Sequence, residues 1–340
     1  MLVCASNQHI KLLLLQLIGN KPYINIPNVQ YWLCNTGIPH CTACRLLLSL
    51  LLCCMLVRFP SRLQQADNEM LQVGNTPFAR YRLATAVGKR TSFITEHTLI
   101  FVLQGHKLLH IEDQTHTAVA GNLVLVKRGI YAMSEFVPDG LDYEAMLIFF
   151  SDDFIKKFLH SNKLTTATPV DVAPHLMVPS NDLLEGFKNQ FLGYFGKNIQ
   201  LEALMPLKLQ ELMHLLLAGS HGHQVLQFFQ HIAFGQPLEV EYIVRKHLFQ
   251  PLSIEELAQL SGRSLASFKR DFQQQFNSAP KKWINDQRLE HAHMLLQHSH
   301  KQVSEVAMEC GFENIPHFIR IYKQKYGDTP NSARTKTAII

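Results

Sequence analysis

Arg270 and Arg320 occupy equivalent places in a pattern that occurs twice between Ser253 and Tyr326. The first copy runs Ile254, Leu257, Ala258 and Gly262, then Phe268, Arg270, Phe272 and Phe276. The second runs Val303, Val306, Ala307 and Gly311, then Phe318, Arg320, Tyr322 and Tyr326. An offset of about fifty residues superposes them, with one extra residue at the turn. In each copy a planar guanidinium lies off an aromatic stripe spaced i, i+4, i+8, so the stripe can be core while the cation stays free. A free Arg on a helix can make the bidentate contact to guanine O6 and N7, which contributes roughly 1–3 kcal/mol of base discrimination.

The elements that must hold these arginines follow from the same residues. Each copy predicts a short helix, a sharp turn at glycine and a longer second helix. Ser264 is placed to cap the first long helix, leaving Ala266, Ser267, Lys269 and Arg270 off the stripe. Asn314 is placed to cap the second, with Pro316 in the first turn and His317, Arg320 and Lys323 off the stripe. Between the copies, Ser278 is placed to cap a helix that begins near Pro280 and runs to His298–His300. At about 18 residues it is roughly 27 Å long, which suits two helices set near the ~34 Å repeat of the major groove. The candidate DNA-binding residues are therefore Ser264, Ala266, Ser267, Lys269, Arg270, His317, Arg320 and Lys323.

Residues 238–336 resemble the DNA-binding domain of the AraC/XylS family of bacterial transcription regulators. The resemblance rests on Ile254-Glu-Glu-Leu-Ala, Ala292-His-Met-Leu-Leu, Val303-Ser-Glu-Val-Ala, Glu309-Cys-Gly-Phe-Glu-Asn, His317-Phe-Ile-Arg and Tyr326-Gly-Asp-Thr-Pro. It implies two helix-turn-helix units, at about 254–276 and 303–326. It implies base contacts from Ala266, Lys269 and Arg270 in the first, and from the positions of Pro316 and Arg320 in the second. Pro316 replaces a residue that often carries a hydrogen-bonding side chain, which weights readout toward the first unit. The start of the linking helix, Lys281-Lys-Trp-Ile284, resembles the type III secretion activators within the family, whose N-terminal half answers to protein partners. The resemblance implies promoter DNA, RNA polymerase, a regulatory protein and a second copy of the chain as partners.

Residues 93–150 change period. Short apolar runs at Thr98–Leu103, His106–Ile111, Thr115–Val119, Leu123–Val126, Ile130–Phe136 and Tyr143–Phe150 are separated by turn residues and read as strands. Gly121-Asn-Leu-Val-Leu-Val-Lys-Arg-Gly129 resembles a cupin strand-turn-strand. The expected fold class is therefore α+β: a degenerate cupin-like β-barrel at 67–150, a helical dimerisation or linker region at 151–237, and an all-α domain with two helix-turn-helix units at 238–340. Leu183, Phe187 and Phe191 recur at helical spacing, either as intramolecular core or as a dimerisation stripe. His221-Gly-His223 reads as a turn.

His97, His106, His110, Glu112 and His116 fall in the barrel region, but without His-x-His or a late His they do not make a cupin metal set. No nucleophile–base or paired-carboxylate arrangement stands out elsewhere. No catalytic residue, cofactor or metal is expected, and the chain is read as a regulator rather than an enzyme. The competing readings are a small-molecule sensor of the same family and a cupin metalloenzyme with a helical appendage.

Residues 1–66 are of another character. They hold no Asp or Glu, six of the seven cysteines and five cations, so with 32 Lys plus Arg against 27 Asp plus Glu the whole formal +5 resides there. Within the rest, residues 238–340 carry +3 and residues 67–237 carry −3, a partition suited to phosphate attraction at one end. The Leu46–Val57 run is shorter than the ~20 residues a membrane span needs. Cys41-Thr-Ala-Cys44 beside Cys34 and His40 lacks the second pair of a zinc site. The segment is expected to be extraneous, with a natural start near Met55 or Met70 and no membrane association. A single cysteine, Cys310, in residues 67–340 makes a disulfide framework unexpected and points to a bacterial cytoplasm.

Overall fold

In strand β5 (His97–Gln104) six consecutive residues, His97 to Val102, are buried, which a half-exposed strand does not show. Leu99 and Phe101 enter one core and Ile100 and Val102 another, because successive side chains of a strand point to opposite faces. β10 (Tyr143–Phe150) divides in the same way, with Met146, Ile148 and Phe150 on one side and Ala145, Leu147 and Phe149 on the other. A sheet covered on both faces needs continuous apolar runs rather than alternation.

The computed structural model describes residues 56–337 except 66–67, 74–75, 84–86, 112, 137–141, 165–170 and 198–200. Glu112, the Cys41–Cys44 pair and the apolar run as far as residue 55 lie outside the described residues. Residues 56–65, grouped by composition with the N-terminal segment, belong to the fold: Val57–Phe59 is strand β1, Ser61–Gln65 a 3-10 turn, and Phe59 and Leu63 are buried. There follow β2 (Glu69–Val73), β3 (Thr76–Leu83), β4 (Val87–Ile94), β5, β6 (His106–Ile111), β7 (Gln114–Val119), β8 (Asn122–Val126), β9 (Gly129–Phe136) and β10. Helix α1 (Asp152–Ser161) precedes a last strand, β11 (His175–Pro179), and α2 (Asp182–Leu192), α3 (Leu204–Ala218) and α4 (Gly222–Phe234) complete this half.

The expected cupin-like barrel is not what these strands make. They form two open sheets, one of five strands in the order β1-β4-β9-β6-β7 and one of six in the order β11-β8-β5-β10-β3-β2. A barrel requires a hydrogen-bonded neighbour on both sides of every strand, and β1, β7, β11 and β2 each have one. The five-stranded sheet is mixed, since β1 runs parallel to β4 while its other pairings are antiparallel. Tyr131, Met133, Leu109 and Ile94 from this sheet meet Val124, Val126, Leu147 and Phe149 from the other in the shared core. The opposite face of the six-stranded sheet carries α1 to α4, through Phe158, Leu184, Phe187, Phe191, Leu212 and Phe228.

At the seam of strand and helix, buried His97 accepts the Arg128 N–H at Nδ1 (3.0 Å) and bonds Asp152 Oδ1 through Nε2 (2.9 Å). Those two bonds define the neutral tautomer with the proton on Nε2. Burial lowers the His97 pKa below 6.5, against the pull of Asp152. Burial alone would raise Asp152, but its bond to His97 and the Arg128 guanidinium hold it well below 3.8. Both folded values lie below the unfolded ones, so both groups take up protons on unfolding and both contributions are lost as pH falls. His97 contributes above its unfolded pKa and loses that contribution below about pH 6.5; Asp152 follows below about pH 4. His97→Gln, which can keep both bonds without titrating, is expected to reduce the slope of unfolding free energy between pH 7 and 5 by up to ~1.4 kcal/mol per pH unit. Denaturant titrations across that range check it; an unchanged slope contradicts it.

Candidate nucleic-acid interface

The C-terminal half is built from seven helices among the described residues: α5 (Val240–Lys246), α6 (Ile254–Leu260), α7 (Leu265–Phe276), α8 (Pro280–His298), α9 (Val303–Glu309), α10 (Ile315–Tyr326) and α11 (Pro330–Thr337). In the first unit Ser253 and Glu256 form a capping box at α6, satisfying two amides that the helix start leaves unpaired. Gly262 turns the chain at φ +73°, where a side chain would be strained. Ser264 then caps α7 by accepting the Ser267 N–H at 3.2 Å. The second unit repeats this with Gln302 and Glu305 at α9, Gly311 at φ +81°, and Asn314 accepting the His317 N–H at 2.8 Å.

α7 and α10 each bury an aromatic stripe. Phe268 and Phe272 of α7 are wholly buried and Phe272 meets Trp283 of α8 edge-on. Phe318 and Tyr322 of α10 are buried in the same way, with the Tyr322 hydroxyl bonded to His293 at 2.6 Å. The opposite faces are open. Ser264, Ala266, Lys269 and Arg270 are exposed and Ser267 partly so; Pro316, Arg320 and Lys323 are exposed and His317 partly so. Arg270, whose side chain is 69 % exposed, is steadied by Ser267 Oγ (3.3 Å) and by Asp271 (3.4 Å). Arg320 donates to His317 Nδ1 at 3.0 Å; burial and then the Arg320 charge lower the His317 pKa, keeping that acceptor unprotonated.

The remaining expected site residues fall elsewhere. Phe187 and Phe191 lie inside the chain against the six-stranded sheet, whereas Leu183 is 64 % exposed. The barrel-region histidines diverge: His97 bonds Asp152, His106 stacks on Phe136, His110 bonds Thr115 and Ser134, and His116 faces His175.

Two features of this half escape sequence reasoning. Arg58 of β1 reaches the C-terminal half, bonding Glu256 at 2.6 Å and the Pro251 carbonyl at 2.6 Å, with Glu313 at 3.9 Å. Leu56 and Phe93 accompany it into the core of Val240, Ile243, Leu257 and Phe268. The other feature is Arg288, buried on the linking helix α8 among main-chain carbonyls. Its signal was available: it falls on the stripe of Ile284 and Ala292, where a cation on an apolar helix face needs partners.

Two family descriptions match this architecture. "ExsA N-terminal regulatory domain" matches residues 97–228, and "Helix-turn-helix domain" matches residues 257–336. The chain is 26% identical over 258 residues to the virulence regulon transcriptional activator VirF of Yersinia enterocolitica, covering 72% of this chain and 93% of that one. It is 24% identical over 247 residues to the HTH-type transcriptional regulator ExsA of Pseudomonas aeruginosa, covering 70% and 86%. Among solved structures, an AraC-type transcriptional regulator from Chromobacterium violaceum is 30% identical over 29% of this chain and 89% of its own, with a TM-score of 0.27. The chain belongs to the AraC/XylS family of helix-turn-helix transcription regulators and is related to VirF and ExsA. It is a sequence-specific DNA-binding regulator with an N-terminal regulatory domain, and these relatives are named as transcription regulators.

Proposed function

We propose that the protein activates transcription in the bacterial cytoplasm by placing α7 and α10 in two adjacent major-groove segments of promoter DNA, as a homodimer beside RNA polymerase. The observation that carries this reading is the repeated presentation of one arginine, Arg270 and then Arg320, on the open face of two equivalently capped helices. Arg270 and Arg320 read bases. Ser264, Ala266, Ser267, Lys269, His317 and Lys323 supply the surrounding phosphate and base contacts. The positive sign of regulation is supported by the printed name of VirF as a transcriptional activator. Leu183 is the exposed member of the candidate dimerisation stripe.

Control runs through the N-terminal half, by a protein partner or by dimerisation. Arg58, Leu56 and Phe93 give it a direct hold on the first helix-turn-helix unit. Removing residues 1–237 is expected to abolish regulated activation of a target promoter while leaving DNA binding by the C-terminal half. Equally strong and equally regulated activation by the fragment contradicts the proposal.

A small-molecule sensor is the second reading, and one observation favours it. Inside the sandwich, buried Lys107 and half-buried Arg90 both bond Glu135, yet among the described residues Arg90 Nε, Glu135 Oε2 and Ser92 Oγ have no hydrogen-bond partner. Burial alone would raise Glu135, but Lys107 and Arg90 hold it below the usual carboxylate range. Buried unpaired polar atoms are costly, and a polar ligand or water would satisfy them. A ligand present at 100 times its Kd would add about 2.7 kcal/mol to stability, so a screen by thermal shift separates the two readings.

A further inference from the structure

The two helix-turn-helix units do not share a hydrophobic core. Val240, Ile243, Leu257, Phe268, Phe272 and Ile284 form one cluster, and Leu289, Ala292, Leu296, Val306, Phe318 and Tyr322 another. Helix α8 contributes to both, Ile284 to the first and Leu289 to the second. Between them, at the seam, stands Arg288, 7% exposed. Its Nε donates to the Leu248 carbonyl at 2.7 Å and its Nη2 to the Gln250 carbonyl at 2.6 Å, both in the loop before α6 of the first unit. Its Nη1 donates to the Gly311 carbonyl at 2.9 Å, in the turn of the second unit. The Phe312 ring lies 5.8 Å from the guanidinium carbon.

Apolar packing is non-directional and leaves the angle between two cores weakly defined. A guanidinium is a rigid planar fork of donors, so three bonds from one plane to carbonyls of two units fix their mutual position as well as attach them. Gly311 closes the joint. A Cβ there would meet the Phe249 carbonyl oxygen at 2.8 Å and the Arg288 guanidinium carbon at 3.1 Å.

We infer that Arg288 is a positioning residue for DNA readout, fixing the separation and phase of α7 and α10 and hence the spacing between half-sites that the protein accepts. The inference rests on the tandem reading proposed above. A fixed joint makes the second half-site an intramolecular encounter at high effective concentration, but only at the matching spacing. A lysine keeps the charge as a single point and does not span the three carbonyls.

The test uses the full chain and a two-part duplex selected by the unaltered protein from a random pool, then remade with one or two base pairs inserted or deleted between the halves. For the unaltered protein, one inserted base pair is expected to weaken binding by about tenfold or more. Arg288→Lys is expected to bind the original duplex about tenfold more weakly, to feel the insertion less than about threefold, and to hold an isolated half-site within about threefold of the unaltered protein. Should the lysine variant fail to fold by circular dichroism, Arg288→Gln, which keeps one planar donor pair, takes its place. A folded variant that keeps the full spacing penalty overturns the inference. So does one that loses half-site binding as well, since Arg288 would then serve the fold of the individual units. Selection of only a single half-site by the unaltered protein would instead defeat the tandem reading itself, before any variant is compared.

Discussion

Arg270→Ala is expected to weaken binding to the preferred duplex by roughly 10- to 100-fold, the loss of a bidentate base contact of about 1–3 kcal/mol. It is also expected to relax base preference at one position of the site. The expectation follows from the side chain's setting: Arg270 stands on the open face of α7, opposite Phe268 and Phe272, with Ser267 and Asp271 steadying a group that is otherwise in solvent. Its removal exposes no core and orphans no buried partner, so stability should change by no more than about 0.5 kcal/mol. Arg320→Ala should relax a different position, and by less overall, because Pro316 contributes no hydrogen-bonding side chain to the second unit. Lys269→Ala should lower the salt dependence of binding by about one counterion, with a smaller loss of base preference than Arg270→Ala. Fluorescence anisotropy at several salt concentrations measures all three. Unchanged affinity of the Arg270 variant for the preferred duplex, with unchanged discrimination against a scrambled one, would contradict the assignment.

Phe191→Ala is expected to destabilise the N-terminal half by about 3–5 kcal/mol, the combined loss of transfer free energy and a residual cavity. Phe191 is wholly buried, with its ring centroid 5.3 Å from Phe78 of β3 and 5.5 Å from Phe187. Its contacts are intramolecular and join α2 to the six-stranded sheet. Leu183, in the first turn of the same helix and 64 % exposed, should behave in the opposite way. Leu183→Asp should leave the unfolding midpoint nearly unchanged and shift self-association toward monomer in sedimentation. A Phe191 variant of unaltered stability, or a Leu183 variant that unfolds, would contradict this division of the stripe.

That division illustrates what sequence can and does not specify. The i+4 spacing of Leu183, Phe187 and Phe191 establishes one apolar face, but whether a face meets its own chain or a second one depends on long-range packing. Local chemistry is more legible. Ser264 and Asn314 cap the helices that follow them, as Ser151 and Asn181 cap α1 and α2, because capping is settled within three residues. Gly262 and Gly311 mark the turns through their positive φ angles. Ser278 is the exception: α8 is capped at Ala279 with no side-chain bond, Pro280 at the first turn sufficing to start it.

The sheet half was legible as strands and illegible as topology. Turn residues delimit β5 to β10 correctly to within a few residues, but pairing depends on which strands meet across the chain. The continuous apolar runs of β5 and β10 carried a hint that a barrel reading passes over, namely that both faces are covered, one by a second sheet and one by helices. Strands β1 to β4 and β11 are not evident in the sequence. β3 mixes Arg80 and Arg82, which pair with Glu144 of the neighbouring strand β10, among its core residues Phe78, Ala79 and Tyr81, and this obscures its pattern. Arg58 belonged to a segment whose composition set it apart, so its reach to Glu256 had no local signal.

The central claim is that two arginine-bearing helices on one chain read two adjacent stretches of DNA. Selection of bound duplexes from a random pool by the purified protein, beside Lys269→Ala/Arg270→Ala and Arg320→Ala variants, tests it most directly. The expected result is a two-part site with centres about one helical turn apart, with preference relaxed in one part by the first variant and in the other by the second. Enrichment of a site in which both variants relax the same positions, or no enrichment at low salt by a folded protein, would contradict it.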